Sequence, residues 1–212
     1  AHLSLGVALQ DLGKFTDATK TYKNALSINP MDAHIHFNLA IALNKLGDSY
    51  EAIKSYKNAL SLKPDMAEAH NNIGNIFNDN GNFNEAIKSY RNAIDFAPNY
   101  AEAYHHLGSA LSEVGEFEKA IDSFDNAISI NPKLNFILGQ ALSSRMQLCL
   151  WDSYSKNIDA ILSGINNNEA PISPFALLSI IDDPKIQRKV AEIYSSKKFP
   201  KKNDLSKLEY QS

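Results

Sequence analysis

Small, apolar and aromatic residues recur in fixed columns along the first 134 residues, with polar positions between them. A small residue stands at Gly6, Ala40, Gly74 and Gly108, and three residues later comes Leu9, Leu43, Phe77 or Leu111. Four further on lie Gly13, Gly47, Gly81 and Gly115. Ala18, Ala52, Ala86 and Ala120 follow, then Tyr22, Tyr56, Tyr90 and Phe124, then Ala25, Ala59, Ala93 and Ala127. Pro30, Pro64, Pro98 and Pro132 close the pattern at a strict 34-residue period, the signature of a repeat array.

In register, the full units run 33–66, 67–100 and 101–134, after an incomplete first copy that ends at Met31 or Asp32. The columns predict two antiparallel helices per unit and an all-α chain. Asp65 with Glu68, and Asn99 with Glu102, are expected to form capping boxes on the first helix, and Gly81 to end it in the left-handed conformation. Asp48 with Glu51, and Asn82 with Glu85, start the second helix, and the proline stops it. The eighth-position Gly or Ala and the Ala twelve residues later are expected where the two helices cross. One unit is too small to bury its apolar face alone, so the units stack into an α-solenoid with an extended surface suited to a protein or peptide partner.

Beyond residue 134 the period fades, which divides the chain into repeats (1–134), a helical cap or junction (135–200) and a linker tail (201–212). Asn135 to Leu150 keeps helical apolar spacing, and Trp151, Asp152 and Tyr154 open a helix through Leu162. Gly164 to Glu169 reads as a turn, followed by the apolar run Phe175 to Ile181. After Pro184 an amphipathic helix extends through Ser195, and a basic, Pro-interrupted stretch covers Lys197 to Lys202.

Composition narrows the function classes. With 44% hydrophobic residues the chain can bury a core, and a net charge of −3 gives no general attraction to nucleic acid or to an anionic membrane. Lys197, Lys198, Lys201 and Lys202 lack interleaved aromatics and read as a solvated linker. No segment is long and apolar enough to span a membrane, no Asn-x-Ser/Thr acceptor is present, and no secretory leader is expected. The single Cys149 excludes an internal disulfide, so a reducing cytoplasm is the expected setting. Cys149 lies in the apolar run Met146 to Leu150 and is expected to be a small buried side chain. The chain opens inside a repeat without a methionine, so a fragment of a longer protein is expected.

The Leu, Gly or Ala, Tyr or Phe, Ala and Pro columns of residues 1–134 resemble tetratricopeptide repeats, which implies a right-handed superhelix. The tryptophan usual near the start of the first helix is replaced by His2, His36, His70 and Tyr104, read as interhelical packing rings. No His pair has metal-ligand spacing on one helix, so no metal site is expected. In this family the concave surface is lined by the first helix of each unit. Here it would carry Phe37, Asn38 and Ile41, then Asn71, Asn72, Asn75, Asn78 and Asp79, then His105, His106, Ser109, Ser112 and Glu113. An extended peptide or protein is the expected partner, on Asn38, Asn71, Asn72, Asn75, Asn78, His105, His106 and Ser109. Repeats that grip a chaperone's C-terminal carboxylate use Lys and Arg on this face, where this chain has Asn71 and His106. Asn38 and Asn72 resemble the asparagine ladder of the O-linked N-acetylglucosamine transferases, whose amides hold a substrate backbone, although Ser4 and His106 interrupt it. An Asn-rich chain placing Asn on any solvated face is the alternative.

The segment 148–200 resembles the junction between repeats and catalytic domain in the same glycosyltransferase family, especially its bacterial members. The matching elements are Leu148 to Tyr154, Pro174 to Ser179, and Asp182-Asp183-Pro184 followed by Gln187, Ala191, Tyr194 and Phe199-Pro200. Ser173 to Leu177 replace the His-rich stretch of animal members. The resemblance implies the substrate-recruiting part of a protein O-glycosyltransferase that uses a UDP-sugar donor, with its catalytic domain C-terminal to this chain. It assigns no catalytic residue here, because no phosphate-binding glycine pattern exists and Gly139 and Gly164 are isolated. The competing expectation is a stand-alone interaction scaffold whose tail caps the solenoid.

Overall fold

The computed structural model describes residues 2–199, of which His2 is described by its backbone alone. Lys201, Lys202, Pro200 and the expected linker tail lie outside the described residues. The described residues form helices without a strand, in two compact units divided at Gly115.

Unit 1 contains α1 (His2–Asp11), α2 (Phe15–Ile28), α3 (Ala33–Lys45), α4 (Ser49–Leu62), α5 (Ala67–Asp79), α6 (Phe83–Phe96) and α7 (Ala101–Glu113). Helices pack in chain order, α1 on α2, α3 on α4 and α5 on α6, and each hairpin packs on the next. First helices also meet first helices, α1 against α3 and α5 against α7, which sets their outer faces side by side. Tyr22, Tyr56 and Tyr90 are buried at 0–1% exposure among the Ala18, Ala52 and Ala86 methyls.

The small-residue column makes room for a ring. A Cβ on Gly74 would stand 2.5 Å from Tyr90 Cε1, and one on Gly6 would collide with the Tyr22 ring. The ring of the Tyr sixteen residues on therefore fills the space that Gly6 and Gly74 leave open. Gly47 (φ 84°) and Gly81 (φ 74°) turn the chain between paired helices, and the Asn82 N–H donates back to the Phe77 carbonyl. At the other end Lys63, before Pro64, adopts φ −140°, which ends α4.

Capping follows the expectation at one site and corrects it at three. Asp48 caps α4 by accepting from the Glu51 N–H, while the Glu51 carboxylate turns to Lys54. Asp65 and Asn99 do not cap: α5 and α7 start one residue later, with Met66 and Tyr100 in the cap position and no side-chain bond. The true cap column is 32, 66 and 100, where only Asp32 can accept, from the His34 and Ile35 N–H groups. Met66 is buried, so packing has taken that position from a polar cap. Asn82 occupies the cap position of α6 but makes no side-chain cap bond.

Unit 2 contains α8 (Phe117–Ile130), α9 (Ile137–Gln147), α10 (Tyr154–Asn166), α11 (Pro174–Leu178) and α12 (Pro184–Lys198). Its core joins Leu142, Ile161, Ile165, Ile172, Leu177, Val190 and Ile193. Arg145 on α9 makes a two-pronged ion pair with Asp125 on α8, at 2.6 and 2.7 Å. The expected turn at 164–169 begins late: α10 runs through Gly164, whose missing side chain lets Pro171 approach. Asp183 caps α12 through the Lys185 and Ile186 N–H groups, with Pro184 at its first turn. Cys149 is exposed and left-handed at φ 53°, in the turn that follows α9, which corrects the expectation of a buried thiol. The run 146–150 is apolar, but α9 stops at Gln147 and leaves Leu150 and Trp151 half-exposed on that turn.

Candidate functional site

The expected partner-binding residues lie on α3, α5 and α7 of unit 1. Asn71 is buried at 3% exposure, and the others are half-buried. Their amides do not form a uniform row, because several are committed to neighbouring side chains. Asn38 Nδ2 donates to the His34 carbonyl one turn back on its own helix. Asn72 is hydrogen-bonded to the Tyr56 hydroxyl of the preceding unit. Asn75 Oδ1 accepts from the Tyr90 hydroxyl at 2.9 Å, and Gln10 accepts from Tyr22.

Three buried tyrosines thus each place a hydroxyl against an amide of a first helix. Burial pushes the Tyr22 hydroxyl up to about 12, helped by Asp11, and raises those of Tyr56 and Tyr90, so all three stay protonated; Tyr22 and Tyr90 donate to their amides, and the Asn72 bond partly offsets the burial of Tyr56. This link was missed in the sequence, although the constant tyrosine column and the amide-rich first helices carried its signal.

At the far end of the face, His106 Nδ1 lies 3.0 Å from Asn71 Oδ1 and donates to it, joining α7 to α5. The His106 ring packs against Tyr90 at 5.5 Å and His105 at 5.7 Å. Burial, and then the neighbouring His105, lower its pKa to about 4, so it is a neutral imidazole at pH 7. Ser109 Oγ donates to the His105 carbonyl. Asn78 Oδ1 is buried without a partner among the described residues.

His36 and His70, which replace the family tryptophan, act as hydrogen-bonded packing rings. Each donates from Nε2 to the carbonyl of the preceding proline, Pro30 at 2.9 Å and Pro64 at 3.1 Å, and His70 stacks on Phe96. Among the described residues no group of three His, Cys, Asp or Glu side chains could hold a metal ion. The two isolated glycines lie inside helices, Gly139 against Ile172 and Gly164 against Pro171, and the Gly139 N–H is spent on the Pro171 carbonyl.

Models of the TPR repeat match residues 6–47, 42–81 and 74–115, and a tetratricopeptide repeat model matches 101–134. The chain belongs to the tetratricopeptide repeat (TPR) family. A crystal structure of MamA is similar at 26% identity and TM-score 0.71, over 76% of this chain and 95% of that one. MamA from Desulfovibrio magneticus is similar at 18% identity and TM-score 0.69, over 76% and 92%. Pseudomonas aeruginosa PilF, at 16% identity and TM-score 0.70, shares the fold over 95% of this chain and 92% of its own. No curated protein sequence matches. The TPR matches end at residue 134, so segment 135–200 gains no family from them. No helix among the described residues is long and apolar enough to cross a membrane.

Proposed function

We propose that this chain is a protein-interaction scaffold whose TPR unit 1 holds an extended peptide segment of a partner protein across α3, α5 and α7. The observation that carries it is the half-buried amide and imidazole face running from Asn38 to Ser109. Asn72 and Asn75 are anchored from beneath by buried tyrosines and Asn71 by His106, so they are held in place before a partner arrives. Asn72 and Asn75 keep donor capacity beyond their tyrosine bonds. A cytoplasmic setting belongs to the same proposal.

The finer reading makes this face the substrate-recruiting part of a UDP-sugar-dependent protein O-glycosyltransferase with its catalytic domain outside this chain. That reading rests on the motif likeness at 148–200 and on the ladder likeness of Asn38 and Asn72. The stand-alone scaffold is better supported, since the TPR family and the MamA and PilF likenesses require no catalytic domain.

The test is to select peptides from a random library on the full chain and measure their affinity by fluorescence anisotropy. Asn38→Ala with Asn72→Ala should weaken peptides bound on this face by about 1–3 kcal/mol. If no selected peptide changes affinity in the double variant, this face is not the binding surface.

A further inference from the structure

Unit 2 has a groove that the TPR face does not account for. One part, about 470 Å³, lies between the start of α9, the start of α11 and the end of α12, over Phe136, Gly139, Ser143 and Tyr194. A second part, about 500 Å³, shares Gly139, Ser143 and Ala176 with it and continues over Leu142, Met146, Ile172 and Ile180. The two ends differ in chemistry. Lys197 and Lys198 line the first, and no Asp or Glu lines either. Phe175 and Leu178 stand on the second with 86% and 59% exposure.

The groove is built, not incidental. Phe136 is held left-handed at φ 67°, a conformation that a non-glycine residue keeps only where its surroundings enforce it. The Ala170 carbonyl accepts its N–H, and its ring packs on Tyr194 at 5.4 Å. Gly139 lets Ile172 close onto α9 and form the floor. Lys198 donates to the Tyr194 hydroxyl and lies 5.2 Å from its ring centre, which positions an ammonium at the rim. Neither Lys197 nor Lys198 is in an ion pair among the described residues.

We propose that this groove is a second peptide-binding site, which takes a segment of a partner protein carrying apolar side chains next to acidic ones. Apolar side chains would cover Phe175 and Leu178, and the carboxylates would meet Lys197 and Lys198. Charge complementarity selects this occupant: a cationic rim with no acidic residue repels a basic peptide and favours an acidic one.

The experiment uses the same random peptide library on the full chain, with enriched peptides synthesised, labelled and titrated. The expected result is a class of peptides with Asp or Glu beside Leu, Phe or Met. Their affinity should fall about tenfold in Lys197→Glu with Lys198→Glu, and in Phe175→Ser, yet stay unchanged in Asn38→Ala with Asn72→Ala. All three substituted side chains of unit 2 are exposed, so the fold should survive, which circular dichroism would check. Selection on the charge-reversed variant should enrich Lys or Arg instead. The proposal is overturned if no acidic-apolar class is enriched, or if that class binds the charge-reversed variant equally well. Either failure leaves the TPR-face proposal standing, because that is read from a different pair of substitutions.

Discussion

Asn71 and His106 show why residue type alone misjudges a binding face. In the sequence both stand at positions where related repeats carry a ligand-gripping cation. In the structure they bond to each other, and Asn71 is almost wholly buried. The substitution with the sharpest steric prediction lies beneath that face. Ala86 is fully buried in the crossing of α5 and α6, so Ala86→Leu should lower unfolding free energy by about 1–3 kcal/mol through overpacking. Urea denaturation would read it, and an unchanged midpoint would mean that the crossing has room. The small-residue column was legible by its period, but its partner was not. Only the assembled hairpin shows that Gly74 makes room for a ring, because the spacing to Tyr90 and to Ala86 both suit a helix pair.

At the scale of the helix, boundaries in the repeats were legible to within a residue or two, those of unit 2 only to within three or four, and most caps were not legible. Removing the real cap by Asp48→Ala should cost about 0.5–2 kcal/mol, whereas Asp65→Ala, just outside α5, should change stability by less than about 0.5 kcal/mol. Equal effects would show that Asp65 acts on the helix after all. The capping-box pattern failed because one residue of offset, set by burial of Met66, moves a carboxylate out of reach of the N–H groups. In unit 2 the same limit appears at α9, where helical apolar spacing over sixteen residues from Asn135 to Leu150 yields a helix of eleven. Left-handed Phe136 and Cys149 bracket it, and neither is a residue that announces such a backbone.

For the molecule as a whole, the buried imidazole of His106 links stability to pH. Its folded pKa, lowered to about 4, lies below the ordinary 6.5 of the unfolded chain, so below pH 6.5 the unfolded state takes up a proton that the folded state refuses. Stability should therefore be full above pH 6.5 and fall as the pH drops towards 4, by on the order of 2 kcal/mol once the half-buried ring is allowed for. Urea titrations at pH 7.5 and pH 4.5, in the native protein and in His106→Gln, would measure it. An equal pH slope in the two would place the titrating group elsewhere.

The sequence by itself determined the all-helical repeat, its 34-residue register and its membership of the TPR family. Each is a local property, carried by small, aromatic and proline residues whose spacing alone dictates which helices can pair. It also placed the polar residues of the first helices on one face. Tertiary structure decided what those residues do, because hydrogen bonds between units join side chains 16 or 35 positions apart, as in Tyr56 with Asn72 and Asn71 with His106. It alone formed the groove of unit 2. That site is drawn from three helices with no common period, and its lysines become a rim only once α12 packs on α10 and α11 and brings Tyr194 to Phe136.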